Sequence, residues 1–334
     1  MLKRTNVLAL VGSGKNSKFT SDKLIIWDDH RSKIFSELRF FSEILNVKIK
    51  VEKIIVATRD NKLYVLNMSN LEIVNIFQTY ENKKGLFAVS SDDKALVIAF
   101  PFRHSGYIKL KNYNSPLNVP AINAHDGNIS FIAINHEGTL LASSSEKGTL
   151  IRIFSTFNGE LIQELRRGAK IADIYNITFD LNNNFIACTS SSRTVHIFSI
   201  YASIKYLKEK GFISNKNINR NRPSDIDINI NMNKNIIEAP KNQKGFLGSI
   251  ISVLKIGISY FESEWSFAQY RVPRSEKEMI VSFGLNTHCI IVLTKSGKLY
   301  QASFEPNLGG ECQKICEKEL IKKEENEKPN YKKF

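Results

Sequence analysis

The sequence predicts an all-β fold, a β-propeller of the WD-repeat type, with about six blades' worth of chain. Three observations point there. First, a short strand pattern recurs: a turn residue, one further residue, then apolar positions. It occurs as DKLIIW from Asp22, NKLYVL from Asn61, GYIKL from Gly106, GTLIRIF from Gly148, RTVHIF from Arg193 and GKLYQ from Gly297. The steps between copies are 39, 45, 42, 45 and 104 residues. Four of them fit a four-stranded blade of roughly 40–45 residues, and the fifth equals one blade plus about 60 more. Second, the chain between copies alternates strand and turn. NISFIAINHEGTLLASSSEKGTLIRIFSTFNGELIQEL sets runs of Ile, Phe and Leu between turns of Gly, Asn and Ser. Third, helical periodicity is nearly absent outside one segment.

Taken in order, the elements are these. The opening MLKRTNVLALVGSG has an apolar run that meets Gly and Ser at once, a poor secretory signal. Residues 1–200 carry the first blades, 201–262 a long insertion, 263–310 the last blades and 311–334 a charged tail. Within the insertion, KNINRNRPSDIDININMNKN is polar without a core-forming pattern and is expected to be disordered. KGFLGSIISVLKIGISYF follows. At 100° per residue, Phe246, Leu247, Ile250, Ile251, Leu254, Ile258 and Phe261 share one arc, opposite Gly248, Ser252, Lys255 and Ser259. An interfacial helix fits this pattern. A buried strand fits it equally, because Leu254, Ile256, Ile258 and Tyr260 alternate with Lys255, Gly257 and Ser259.

Composition narrows the function. A net charge of +14 attracts anionic partners: nucleic acid, acidic proteins or an anionic membrane surface. No window approaches the 18 to 20 apolar residues, roughly, that span a bilayer, so the protein is expected to be soluble or to bind membranes from outside. Cys188, Cys289, Cys312 and Cys316 form neither a disulfide framework nor a metal-ligand set, which favours a reducing, cytoplasmic compartment. Catalysis is not expected. VGSGKNS has Ala9 where a phosphate loop needs glycine and Asn16 where it needs Ser or Thr. There is no Gly-x-Ser-x-Gly elbow, no His-Glu-x-x-His and no clear carboxylate pair, and His125-Asp126 reads as a structural strand turn. No cofactor or metal is expected. The stacking-aromatic pattern of RNA modules is missing, so nucleic acid is not an expected partner.

GELIQELRRGAK places Arg166 and Arg167 side by side at a strand end. An Arg-Arg pair by itself is usually a solvated basic edge, but neighbouring strand residues point to opposite sides, so the two guanidiniums can feed two pockets, one on each flank. Guanidinium suits bidentate phosphate contact. Ser144, Ser145, Thr149 and Arg152 lie on one flank, and Ser190, Ser191, Thr194 and His196 on the other. Gly168 gives the chain room to turn and a headgroup room to approach.

The chain resembles the PROPPINs, propellers that bind polyphosphoinositides and act in autophagy and endolysosomal traffic. The residues that carry this are LALVGSGKNSKFTSDKLIIWDDHRSKIFSELRF, KGLFAVS, the INAHDGNISF…ELRRG stretch, SEWSFAQYRVP and FEPNLGGEC. LRRG, a variant of the family's Phe/Leu-Arg-Arg-Gly signature, is the most specific. The resemblance implies two phosphoinositide sites. Arg166 serves one with Thr149 and Arg152, and Arg167 the other with Ser190, Ser191, Thr194 and His196. Ser144 and Ser145 are added to the first from the strand pattern. It further implies that the insertion dips into the bilayer, which favours the amphipathic reading of 246–261. The implied ligands are phosphatidylinositol 3-phosphate and phosphatidylinositol 3,5-bisphosphate. Autophagy lipid-transfer or scaffold proteins are the implied partners, and preautophagosomal, endosomal or vacuolar membranes the implied location of a protein monomeric in solution. A protein-interaction scaffold without specific lipid recognition is the alternative. The family closes seven blades, one more than the repeat supplies here. Either upstream strands are missing or another chain fills the ring, and an unfilled ring would expose a sheet edge prone to aggregation.

Overall fold

The computed structural model describes residues 5–13, 19–214, 240–244, 263–284 and 288–321. Six antiparallel sheets follow one another along the chain. Sheet one holds β1 (Val7–Val11), β2 (Lys23–Asp28) and β3 (Lys33–Arg39), and sheet two β4 (Ile44–Ile49), β5 (Lys53–Thr58), β6 (Lys62–Asn67) and β7 (Ile73–Gln78). Sheet three holds β8 (Ala88–Val89), β9 (Val97–Pro101), β10 (Tyr107–Asn112) and β11 (Ile122–Asn123). Sheet four begins with β12 (Ile129–Ile134), β13 (Leu140–Ser145), β14 (Leu150–Ser155) and β15 (Leu161–Arg166). Sheet five begins with β16 (Ile174–Phe179), β17 (Phe185–Ser190) and β18 (Thr194–Ser199). After helix α1 (Tyr201–Glu209), β19 (Gln243–Lys244) and β20 (Glu264–Trp265) add to the outer edge of sheet four, and β21 (Ala268–Arg271) completes sheet five. Sheet six is β22 (Met279–Phe283), β23 (Cys289–Thr294), β24 (Lys298–Ser303) and β26 (Gln313–Glu319), while β25 (Gly310–Glu311) pairs in parallel with β21.

Five apolar clusters join these sheets in succession. The strand sequences explain why. In β5, Ile54 and Val56 pack into the cluster shared with sheet one, whereas Ile55 and Ala57 pack into the one shared with sheet three. A strand buried on both faces needs an unbroken apolar run, which KIIVA supplies. Among the described residues no such cluster joins sheet six to sheet one.

The sequence repeat has a conformational cause. Five of its six anchor residues, Asn61, Gly106, Gly148, Arg193 and Gly297, have positive φ. They form the tight turn between the second and third strands of their sheets, where glycine or a tolerant polar residue is needed. At Gly148 the space is also closed: a Cβ would lie 1.9 Å from the Ala172 carbonyl oxygen.

Two expected boundaries shift. The inserted loop was expected to begin at residue 201, but Tyr201–Glu209 form α1. Ile204 and Leu207, three apart, turn toward the cluster between sheets four and five, and Phe212 stacks on Phe157 at 4.8 Å. One short helix gives too little periodicity to stand out. The charged tail was expected from 311, yet β26 pairs along β24 and completes sheet six. Apart from half-buried Cys316 its residues are exposed, as suits an outermost strand. The polar part of the insertion, the segment bearing Phe246, Leu247, Ile250, Ile251, Leu254, Ile258 and Phe261, and residues 322–334 lie outside the described residues. Among those described, no helix is long and apolar enough to cross a membrane.

The Gly148→Ala variant is expected to lose on the order of 1–3 kcal/mol of stability. Urea unfolding should show a lower midpoint at unchanged slope, and Gly168→Ala serves as the control.

Candidate functional site

Strand register sorts the predicted residues onto two faces of sheet four. Ser143 pairs with Arg152, Arg152 with Glu164, and Leu150 with Arg166. Directly paired residues share a face. Leu141 and Phe154, on that same face, belong to the cluster shared with sheet three. Arg152 and Arg166 therefore both face sheet three, and Ser145 falls with them by the period of two.

That face is polar and closely held. Arg152 donates through Nε to Glu164 Oε2 at 2.8 Å and through Nη1 to the Ala124 carbonyl at 2.7 Å. His125 Nε2 lies 3.0 Å from Ser143 Oγ. Arg166 is 5% exposed and donates through Nε to Ser263 Oγ at 2.7 Å. Ser263 immediately precedes β20, which runs parallel to β15 and pairs Trp265 with Arg166. The chain on either side of residues 245–262, β19 and β20, thus sits beside this arginine. Asn242 and Gln163 tie the junction together, both donating to Glu264 Oε2.

The other face turns toward sheet five. Arg167 is 4% exposed, donates through Nε to the Gly148 carbonyl at 2.8 Å and through Nη2 to the Lys170 carbonyl. These acceptors are neutral, so they leave its charge intact, and burial lowers its pKa. Cys188 pairs with His196, and Cys188 belongs to the cluster between sheets four and five. His196 consequently faces sheet four, and Ser190 and Thr194 follow by alternation. His196 Nδ1 lies 3.3 Å from Ser266 Oγ. Burial, then the nearby Arg167 charge, push its imidazole down to about 4. Burial, then Arg152, push His125 down to about 4 as well. Both rings are neutral near pH 7.

Five predicted residues are held otherwise than their sequence positions suggest. Ser144 was grouped with Arg166, but it pairs with Ile151, on the sheet-five face, and its hydroxyl contacts Ser130 Oγ at 2.9 Å. Adjacent residues on one strand cannot share a face, so Ser144 and Ser145 separate. Gly168 was expected to be needed for turning. Its φ lies outside the left-handed region and a Cβ there would meet nothing within 4 Å, so neither the turn nor close packing requires glycine here. Thr149 contributes through its backbone: its carbonyl accepts the Arg167 amide at 2.9 Å. Ser191 shapes the adjacent turn, its hydroxyl accepting the Asp173 amide at 3.1 Å. Arg152 is ion-paired to Glu164 at 2.8 Å, which weakens its pull on an outside anion.

Sequence reasoning missed His125, Ser263 and Ser266. His125 reads from sequence as part of a structural strand turn. The spacing of 70 residues between His196 and Ser266 spans the insertion, and only the register of β18 with β21 brings them together.

These features define a class: a WD-repeat-type propeller carrying one buried arginine on each face of a single sheet. Comparisons then identify the family. The PROPPIN family profile matches residues 17–211. Autophagy-related protein 18e of Arabidopsis thaliana is 31% identical over 312 residues, covering 93% of this chain and 73% of that protein. Hsv2 of Kluyveromyces lactis shares the fold, with a TM-score of 0.67 at 18% identity over 96% of this chain and 86% of that one. The structure of KlAtg21 in complex with the coiled coil of AgAtg16 gives a TM-score of 0.68 at 20% identity, covering 96% and 84%. The chain belongs to the PROPPIN family.

The two histidines should make stability pH-dependent. Each has a folded pKa of about 4 against an ordinary 6.5. The unfolded chain takes up these protons first, so their stabilising contribution is complete above pH 6.5 and is lost as pH falls toward 4. Urea unfolding across this range should show the decline, on the order of 2–3 kcal/mol per histidine. The His125→Gln/His196→Gln variant should flatten it.

Proposed function

We propose that this chain is a non-catalytic, peripheral membrane propeller that reads phosphatidylinositol 3-phosphate and phosphatidylinositol 3,5-bisphosphate. One observation carries the reading: two buried guanidiniums, Arg166 and Arg167, leave one strand end toward opposite flanking sheets. A buried cation is held against its desolvation cost, and an arriving phosphate offsets that cost with charge-assisted hydrogen bonds. Arg166 works with Arg152, Ser145 and His125, and Arg167 with Ser190, Thr194 and His196. Family membership supports the ligand class.

The insertion adds a third contact. Its apolar second part is flanked by β19 and β20 beside Arg166, so the residues from Phe246 to Phe261 start from the edge of a headgroup face. Insertion of that segment, combined with two headgroups, gives avidity from weak single contacts. The protein then sits on preautophagosomal, endosomal or vacuolar membranes from the cytoplasmic side and recruits autophagy lipid-transfer or scaffold proteins. The KlAtg21 complex with a coiled coil supports a recruiting role for this fold.

Flotation with liposomes of matched total charge tests this. The vesicles carry phosphatidylinositol 3-phosphate, its 3,5-bisphosphate, the 4,5-bisphosphate or phosphatidylserine. Selective binding to the first two is expected. An Arg166→Thr/Arg167→Thr variant, folded by circular dichroism, should bind them at least about tenfold more weakly, as for a lost hydrogen bond to a charged group. Binding that follows charge alone and survives the substitution would leave a basic scaffold.

A further inference from the structure

His196 is buried and neutral, so what it offers an anion depends on which ring nitrogen carries its single proton. The surroundings of Nδ1 decide this. Ser266, 1% exposed, places its Oγ 3.3 Å from Nδ1. Gln269 stands directly across from His196 on β21 and donates through Nε2 to the same Oγ at 2.7 Å. One acceptor position on the serine oxygen is filled by that amide. The serine proton still needs an acceptor, since a buried hydroxyl left unpaired is unfavourable. Nδ1 is the acceptor within reach.

We propose that Ser266, held by Gln269, is a positioning residue for the second face, donating to Nδ1 and so keeping the His196 proton on Nε2. The ring then presents an N–H donor beside Arg167 without adding charge. A neutral donor strengthens contact with a phosphate oxygen in one place and leaves the general attraction to negative surfaces unchanged. The relay thus contributes to selectivity rather than to electrostatic pull. This deepens the phosphoinositide reading and rests on it for the ligand, whereas the position of the proton is a property of the free protein.

The test uses the full chain labelled with ¹⁵N-histidine; six histidines keep the spectrum tractable, and His196→Gln assigns the signal. Wild type should show a protonated Nε2 and a bare Nδ1. Ser266→Ala should move both nitrogens toward a mixture of tautomers, and Ser266→Thr should restore the wild-type pattern. Gln269→Glu is a second, sharper variant. A carboxylate accepts the serine proton, so Ser266 must accept from the ring and the histidine proton should move to Nδ1. Titration with inositol 1,3-bisphosphate should show about fivefold weaker binding in Ser266→Ala, as for one lost neutral hydrogen bond, with an unaltered salt dependence. A wild-type ring protonated on Nδ1, or a tautomer indifferent to both variants, overturns the relay. Wild type that ignores the headgroup overturns the phosphoinositide reading, and the nitrogen signals still decide the relay.

Discussion

The pairing of Leu150 with Arg166, and of Cys188 with His196, determines which neighbour each side chain meets. Inner strands such as β5, β13 and β17 are buried on both faces, and a step of one residue exchanges one neighbouring sheet for the other. The same alternation that sends Ile54 toward sheet one and Ile55 toward sheet three sends Arg166 toward sheet three and aims Arg167 at sheet five. Packing and recognition thus share one geometric rule. A bulge or slip between β14 and the end of β15 would exchange the arginines' partners as well as the core residues.

The two faces resemble each other in chemistry though not in sequence. Each has a buried arginine, a buried neutral histidine and a buried serine on that histidine: Arg166, His125 and Ser143 on one, Arg167, His196 and Ser266 on the other. The histidines add no charge to the arginines on either face. Burial keeps the imidazoles neutral, so each face combines one strong electrostatic contact with directional neutral donors. The compensation differs, because Arg152 and its partner Glu164 add an ion pair to the first face alone.

Much of the fold was legible because its demands are local. The turn before each third strand requires a left-handed residue, and Asn61, Gly106, Gly148, Arg193 and Gly297 mark it along the chain. The Arg-Arg pair was legible for the same reason, since alternation acts between adjacent residues. What escaped depends on pairing at a distance. Nothing in the chemistry of Ser263 or Ser266 says that β20 will lie along β15, or that β21 will return to β18 across the insertion. His125 lies two strands and a turn from Arg152, and only the sheet brings their charges together. Ser144 failed because nearness in sequence was taken as nearness in space. The α1 helix escaped because its burial rests on Phe157 and its neighbours, not on any pattern of its own.

The two-residue pairing of Gln243–Lys244 with Glu264–Trp265 has an evolutionary consequence. It closes the chain between Lys244 and Glu264, where Asn242 and Gln163 converge on Glu264. Once a loop is closed, doubling its length costs only about 0.6 kcal/mol in entropy. The chain between these two pairs is therefore free to grow, shrink or change composition without moving Arg166. That segment can diverge quickly while the arginine-bearing faces stay constant, so one propeller can be given a new surface character by editing a single stretch of chain.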